Sequence, residues 1–191
     1  MQEPGTVASG QPAVGLVPPG LRYHLLAVAL ALAGGAFGIF GAFVEELRTG
    51  GGLLALFVGA PIIEEALKPC GVYSLAIRWP KALRNQLYTA CLAALGGLAF
   101  GLIECWVYLA LYVPDHTEAF TIYRLTAPLV MHTVGSFIVG LGINRSLVDW
   151  AAGRGRFPRR SRTLYLAAVA LHGAFNLATL ALYYAGPLHI N

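Results

Sequence analysis

The chain has 191 residues, of which 57% are hydrophobic and only 12% charged, and its mean hydropathy is +0.65. That composition excludes an ordinary water-soluble globular domain and describes an integral membrane protein. The formal net charge of +4 at pH 7 is accounted for by basic loops against anionic lipid headgroups; a nucleic-acid reading would need a soluble basic face and gains no support.

Residues 1–20 are rich in Gly and Pro, carry one charge and read as a flexible tail. They lack the basic n-region of a signal peptide. Five apolar runs then follow, at 23–44, 52–77, 87–112, 122–144 and 163–185. Each is long enough as a helix to cross a hydrocarbon core of about 30 Å. They predict an all-α polytopic membrane bundle of about five transmembrane helices. The longest connection, 145–162, is a basic Gly/Arg segment without apolar periodicity, so 21–191 reads as one membrane domain.

Orientation follows from Lys and Arg in the short loops. Arg22 precedes the first run, Arg78, Lys81 and Arg84 lie in the second loop, and Arg145, Arg154, Arg156, Arg159, Arg160 and Arg162 lie in the fourth. The first and third loops hold Arg48, plus Arg124 just inside the fourth run, with Glu45, Glu46, Asp115 and Glu118. The tail and loops two and four are therefore expected in the cytoplasm, and the C-terminus outside.

The second run contains Pro61-Ile-Ile-Glu64-Glu65-Ala-Leu-Lys68-Pro69. A charged side chain near the bilayer centre costs roughly 2.5–3.5 kcal/mol on insertion scales, so this cluster demands a use. An internal Glu64–Lys68 pair at i, i+4 lowers the cost. Glu65 lies about 100° around the helix and needs a different partner. The third run supplies Glu104, the fourth His132, and the fifth His172 and Asn176 on one face. At about 1.5 Å per residue these groups match in depth, with Glu64 roughly 18 Å from the outer end, Glu104 about 12 Å, His132 about 15 Å and His172 about 16 Å. Four helices thus place polar groups at one level near the midplane. Pro61, Pro69 and Pro128 remove backbone donors, so carbonyls near Phe57, Glu65 and Arg124 are expected to lack helical partners.

Two imidazoles and a carboxylate with an open fourth position form the donor set of catalytic zinc, and a further Glu beside them takes a proton from water. Asn176 could stabilise the oxyanion of peptide hydrolysis. The same groups without metal could direct a Glu-activated water. Other hydrolytic designs fail on residues: Asp115 and Asp149 lie outside helix centres, and neither H-E-x-x-H nor G-x-S-x-G occurs. A serine mechanism through Ser74 or Ser136 leaves the glutamates without a role. Cys70, Cys91 and Cys105 are odd in number and show no C-x-x-C spacing, so they read as small buried hydrophobes. His116 and His189 read as surface residues.

Glu64-Glu65-x-x-Lys68, Phe100-x-x-x-Glu104, Arg124 eight residues before His132, and His172-x-x-x-Asn176 resemble the ordered signatures of the PrsW-type intramembrane proteases. That family is distantly similar to the CAAX prenyl-protease and bacteriocin-processing group. The match spans 61–176, and the chain departs from it at Cys105, where an asparagine often follows the glutamate. The resemblance implies a metal-dependent endopeptidase of a prokaryotic cytoplasmic membrane, acting on membrane-associated protein substrates; one role in the family is cleavage of a membrane-anchored anti-sigma factor.

With the depth match, this gives an expected division of labour. Glu64 is the general base, Glu65 its support or an additional ligand, Glu104, His132 and His172 hold zinc, and Asn176 is the oxyanion donor. Lys68 balances the carboxylates, and Arg124 engages substrate backbone or a lipid headgroup. A metal-free glutamate hydrolase, an ion-coupled transporter and a non-catalytic scaffold are the alternatives. No inverted repeat of 61–69 supports the transporter, since Glu45-Glu46-Leu47-Arg48 is only a partial echo at a helix end.

Overall fold

The computed structural model describes residues 20–50 and 52–186. Nearly all of the expected tail therefore lies outside the described residues, as does His189. Among the described residues there is no strand. Helix α1 (Leu21–Thr49) ends on Gly50 in the left-handed conformation, φ 66°, which glycine adopts without steric cost.

The second apolar run is not one helix. A π-helical turn (Ala55–Gly59) leads into α2 (Ala60–Leu67), and after a break at Lys68–Pro69 the chain resumes as α3 (Cys70–Arg78). The two prolines explain both irregularities. Pro61 sits in the first turn of α2, where its missing N–H is tolerated, and Pro69 stands immediately before α3. The segment nonetheless stays beside α1, because α1 touches α2 and α3 in turn.

A 3-10 turn (Pro80–Ala82) leads to α4 (Gln86–Val107), capped by the Asn85 side chain, which accepts from Tyr88 N at 2.8 Å. A second π turn (Tyr108–Tyr112) extends it. The fourth run is also divided, into α5 (Glu118–Arg124) and α6 (Ala127–Gly140), and Pro128 again occupies the opening turn of the later helix. Then come α7 (Arg145–Ala151) and α8 (Arg159–Tyr184).

Among the described residues, four stretches are long and apolar enough to cross a membrane: Leu21–Arg48, Gln86–Tyr112, Glu118–Gly140 and Arg159–Tyr184. The run at 52–77 is absent from that set because it is broken, not because it is polar. Proline at membrane depth is tolerated where side chains re-satisfy the freed carbonyls, and the site depends on this.

Helix α4 is central, packing on α1 and most extensively on α6. Lipid tails are as apolar as leucine, so such helices associate through close packing and hydrogen bonds. The α4–α6 seam shows the first at Gly97, where a Cβ would overlap the carbonyl oxygen of His132 and crowd Ser136. It shows the second at the end of α6, where Gln86 Nε2 donates to Gly140 O and Ile143 O at 2.9 and 3.1 Å. A core of Ala27, Ala31, Val72, Leu75, Leu92 and Ala93 joins α1, α3 and α4. Helix α8 packs on α6, α2 and the first π turn.

Candidate metal centre and its cavity

Glu64 and Glu65 of α2 and Lys68, the residue that caps its C-terminal end, are gathered where α2 meets groups from α4, α6 and α8. Lys68 lies one turn from both glutamates, with Nζ 2.7 Å from Glu65 Oε1 and 3.2 Å from Glu64 Oε2. The i, i+4 pair expected from the sequence therefore exists, and Glu65 has found further partners. Glu65 and Lys68 are wholly buried, with exposures of 0%, and Glu64 nearly so at 5%.

The two histidines meet there from different helices. His132 on α6 and His172 on α8 lie with ring centroids 5.2 Å apart and planes at 86°. Each ring has one nitrogen committed to a carboxylate. His172 Nδ1 is 2.9 Å from Glu65 Oε1, and His132 Nε2 is 2.9 Å from Glu104 Oε2. A carboxylate can only accept, so those nitrogens carry the protons. The remaining nitrogens turn inward. His172 Nε2 lies 3.8 Å and His132 Nδ1 4.0 Å from Glu64 Oε2.

Glu64, His132 and His172 thus offer three ligand atoms lying within 4.8 Å of one another. Glu64 Oε2 is buried and has no hydrogen-bond donor; its 3.2 Å approach to Lys68 lacks hydrogen-bond geometry. A buried, donorless carboxylate oxygen facing two imidazole lone pairs is a donor set that suits a divalent metal. Carboxylates on the far nitrogens are the usual means of fixing the tautomer and orientation of ligating histidines. The residues present therefore fit a metal.

Glu104 does not belong to that group of three. It stands behind His132 and is held in turn by Arg124, whose Nη2 donates to the same Oε2 at 3.0 Å. The sequence-level expectation gave Glu104 a ligand's place and Glu64 the base's; the geometry has Glu64 among the ligand atoms and Glu104 beside them. Arg124 is buried, its guanidinium carbon 3.8 Å from the ring centroid of Tyr108. It faces Glu104 inside the bundle, whereas an outer-boundary contact with substrate or headgroup was expected.

The motif residues between these groups have physical uses. Phe100 lies one turn before Glu104 and supports two neighbours, with its centroid 4.5 Å from Lys68 Nζ and 5.0 Å from the His132 ring. Pro128 deprives the carbonyl of Arg124 of its helical donor, and the thiol of Cys105 donates to that oxygen at 2.7 Å. At the departure from the family pattern, the cysteine thus serves as a helix-break donor. Tyr108, missed at the sequence level, was signalled by its i+4 spacing from Glu104.

Helix α8 runs antiparallel to the broken helix and meets its backbone carbonyls. Tyr165 Oη donates to Ile62 O at 2.7 Å, Gly173 lets α8 approach Phe57 O, and Asn176 Nδ2 donates to Leu56 O at 2.8 Å. The last contact follows from the π turn. Ala60 N–H already serves Ala55 O, and the next donor in π register would be the nitrogen of Pro61, which has none. Asn176 supplies the missing hydrogen bond, and His172 one turn earlier is brought to Glu65.

A cavity of about 550 Å³ lies over the centre. Glu64, Glu104, His132 and Asn176 form its inner part, and Glu46, Tyr112, Tyr123 and Tyr183 lie toward the end of the bundle where α1 and α8 terminate. Glu65 and Lys68 do not line it, so they support the centre from beneath. A smaller apolar cavity of about 290 Å³, bounded by Tyr73, Val139, Trp150, Phe157 and Tyr165, is separate from this chemistry. His116 bonds its own loop at Val113 O and takes no part.

The model of one protein family, the PrsW family intramembrane metalloproteases, matches residues 22–189. No curated protein and no solved structure matches the chain.

Proposed function

The chain belongs to the PrsW family of intramembrane metalloproteases and is a multi-pass membrane peptidase; from that premise we propose that it cuts membrane-associated protein substrates at a centre held by Glu64, His132 and His172. The observation that carries this reading is the paired arrangement of the two imidazoles, each fixed by a carboxylate on one nitrogen and turned by the other toward Glu64. The metal is proposed to be zinc, the usual partner of a two-His, one-carboxylate set with an open position. When bound, it supplies positive charge for a hydrolytic transition state and makes water a better nucleophile.

The chain's own residues do the rest. Glu104 lines the cavity, and its contacts with His132 and Arg124 use Oε2. Its Oε1 takes no part in those contacts and is the acceptor we propose for a proton from water, which moves the base role from Glu64 to Glu104. Glu65 orients His172 from below. Asn176 faces the cavity with one N–H spent on Leu56 O and a second available to a developing oxyanion. Removing one such donor typically costs about 100- to 1,000-fold in kcat.

One observation favours the metal-free alternative: Nδ1 of His132 lies 2.7 Å from Lys68 Nζ. Elemental analysis of the purified full chain beside His172→Ala separates the two readings. About one zinc per chain in the parent, lost in the variant, is the expected result. Absence of zinc from a parent purified without chelators would leave Glu104 and a free water to carry hydrolysis.

The distribution of basic residues supports a topology with the tail and loops two and four in the cytoplasm and the cavity mouth on the opposite side; the proposed location is a prokaryotic cytoplasmic membrane. Cysteines introduced at His116 and Arg156 should then react with impermeant reagent from outside and from inside respectively; the reverse pattern would invert the topology.

A further inference from the structure

Lys68 has more contacts than charge balance requires. Pairing with Glu64 and Glu65 involves only the two carboxylates, yet the ammonium also approaches His132 Nδ1 at 2.7 Å and the Phe100 ring at 4.5 Å. An ammonium has no acceptor capacity, so Nδ1 is the acceptor and its single in-plane lone pair is occupied. The ring cannot answer by offering its other nitrogen, because Nε2 carries the proton given to Glu104. His172 differs: its inward Nε2 has no such cation beside it among the described contacts, only Glu64 at 3.8 Å. Of the three ligand atoms, His132 Nδ1 is thus the one already held by a hydrogen bond, while Glu64 Oε2 has the looser ion-pair approach of Lys68 at 3.2 Å.

We propose that Lys68 is a positioning residue that stands in for the metal: in the unloaded protein its ammonium holds Glu64, Glu65 and His132 together, and metal entry requires Nζ to leave His132 Nδ1. The proposal rests on reading Glu64, His132 and His172 as ligands. It explains how three carboxylates share a buried site before any metal arrives, since Lys68 bridges two of them and Arg124 secures the third. It also explains why the lysine stands beneath the cavity: it can retreat toward Glu65 and Phe100 without entering the space a substrate needs. The cost falls on metal affinity, because the incoming ion must displace one hydrogen bond and approach a like charge.

The test compares zinc affinity, by chelator competition, in the solubilised full chain and in Lys68→Met, with thermal unfolding of each protein with and without zinc. Lys68→Met is expected to bind zinc at least about tenfold more tightly, the direction set by removing a like charge from the ion's immediate surroundings. Its unloaded form should unfold at a lower temperature than the parent, and zinc should raise its Tm by more than it raises the parent's. Because that variant leaves two buried carboxylates without their cation, Glu65→Gln is also compared with Glu65→Gln/Lys68→Met, where loss of the ammonium uncovers one carboxylate instead of two, and the same tightening is expected. Unchanged or weaker zinc binding on loss of Lys68 in both backgrounds overturns the proposal. A parent whose zinc binding is no different from that of His172→Ala overturns instead the ligand reading, and the proposal with it.

Discussion

Asn176→Ala separates two uses of one side chain. The Nδ2 donor satisfies Leu56 O at 2.8 Å, a carbonyl that Pro61 has deprived of its π-register partner. Removing the donor strands a carbonyl at membrane depth, which costs about 1–3 kcal/mol. In a chain of this size each kcal/mol lowers Tm by roughly 2–4 °C, so a fall of about 2–12 °C is expected in detergent. A purely catalytic oxyanion donor would lower kcat and leave Tm unchanged. The sharper measurement is a double-mutant cycle with Pro61→Ala, which restores a backbone N–H where the π turn lacks one. If Asn176 compensates for Pro61, the second substitution should recover on the order of 1 kcal/mol in the Asn176→Ala background that it does not yield alone. Additive effects of the two substitutions, or no loss of Tm in Asn176→Ala, would refute the reasoning.

Other substitutions probe the rest of the centre. Glu65→Ala removes the acceptor for His172 Nδ1 and should weaken zinc binding by about 10- to 100-fold, read by chelator competition. Glu104→Gln should abolish peptide cleavage if Glu104 is the base; turnover near the parent's would return that role to another group. Tyr108→Leu withdraws the ring over Arg124 and should cost roughly 1 kcal/mol of stability, measured by thermal unfolding. Gly173→Val drives a side chain toward Phe57 O and should lower both Tm and bound zinc, because α8 cannot then bring His172 to Glu65.

Much of the centre was legible because charge is conspicuous in an apolar chain. Glu64, Glu65, Glu104, His132 and His172 stood out by cost alone, and depth reckoning brought them to one level. Helical spacing gave the Glu64–Lys68 pair directly. What it could not give was azimuth between helices. Whether Glu104 would point into the ligand group or stand behind His132 depends on how α4 is rotated against α6, which close contact at Gly97 decides. The same limit hid the bond between Asn176 and Leu56, since nothing local couples two residues 120 apart. The prolines were read as freeing carbonyls, but the two divided helices and the donors that cover the gaps, Cys105 and Asn176, come from partners elsewhere in the chain.

Helix α8 brings His172 and Asn176 to the centre while most of its length remains accessible outside the bundle. The other donors ride on α2, α4 and α6, and α8 packs on two of these, α6 and α2. The proposed centre therefore draws two of its groups from a helix whose outer surface is left to the membrane. A tilt that slides α8 by a single residue's rise, about 1.5 Å, is enough to separate an imidazole from its carboxylate. Hydrophobic mismatch costs only fractions of a kcal/mol per Å, yet it acts along this coordinate. Bilayer thickness thereby becomes an input to the enzyme, and the same chain in short- and long-acyl vesicles should differ in turnover more than in fold.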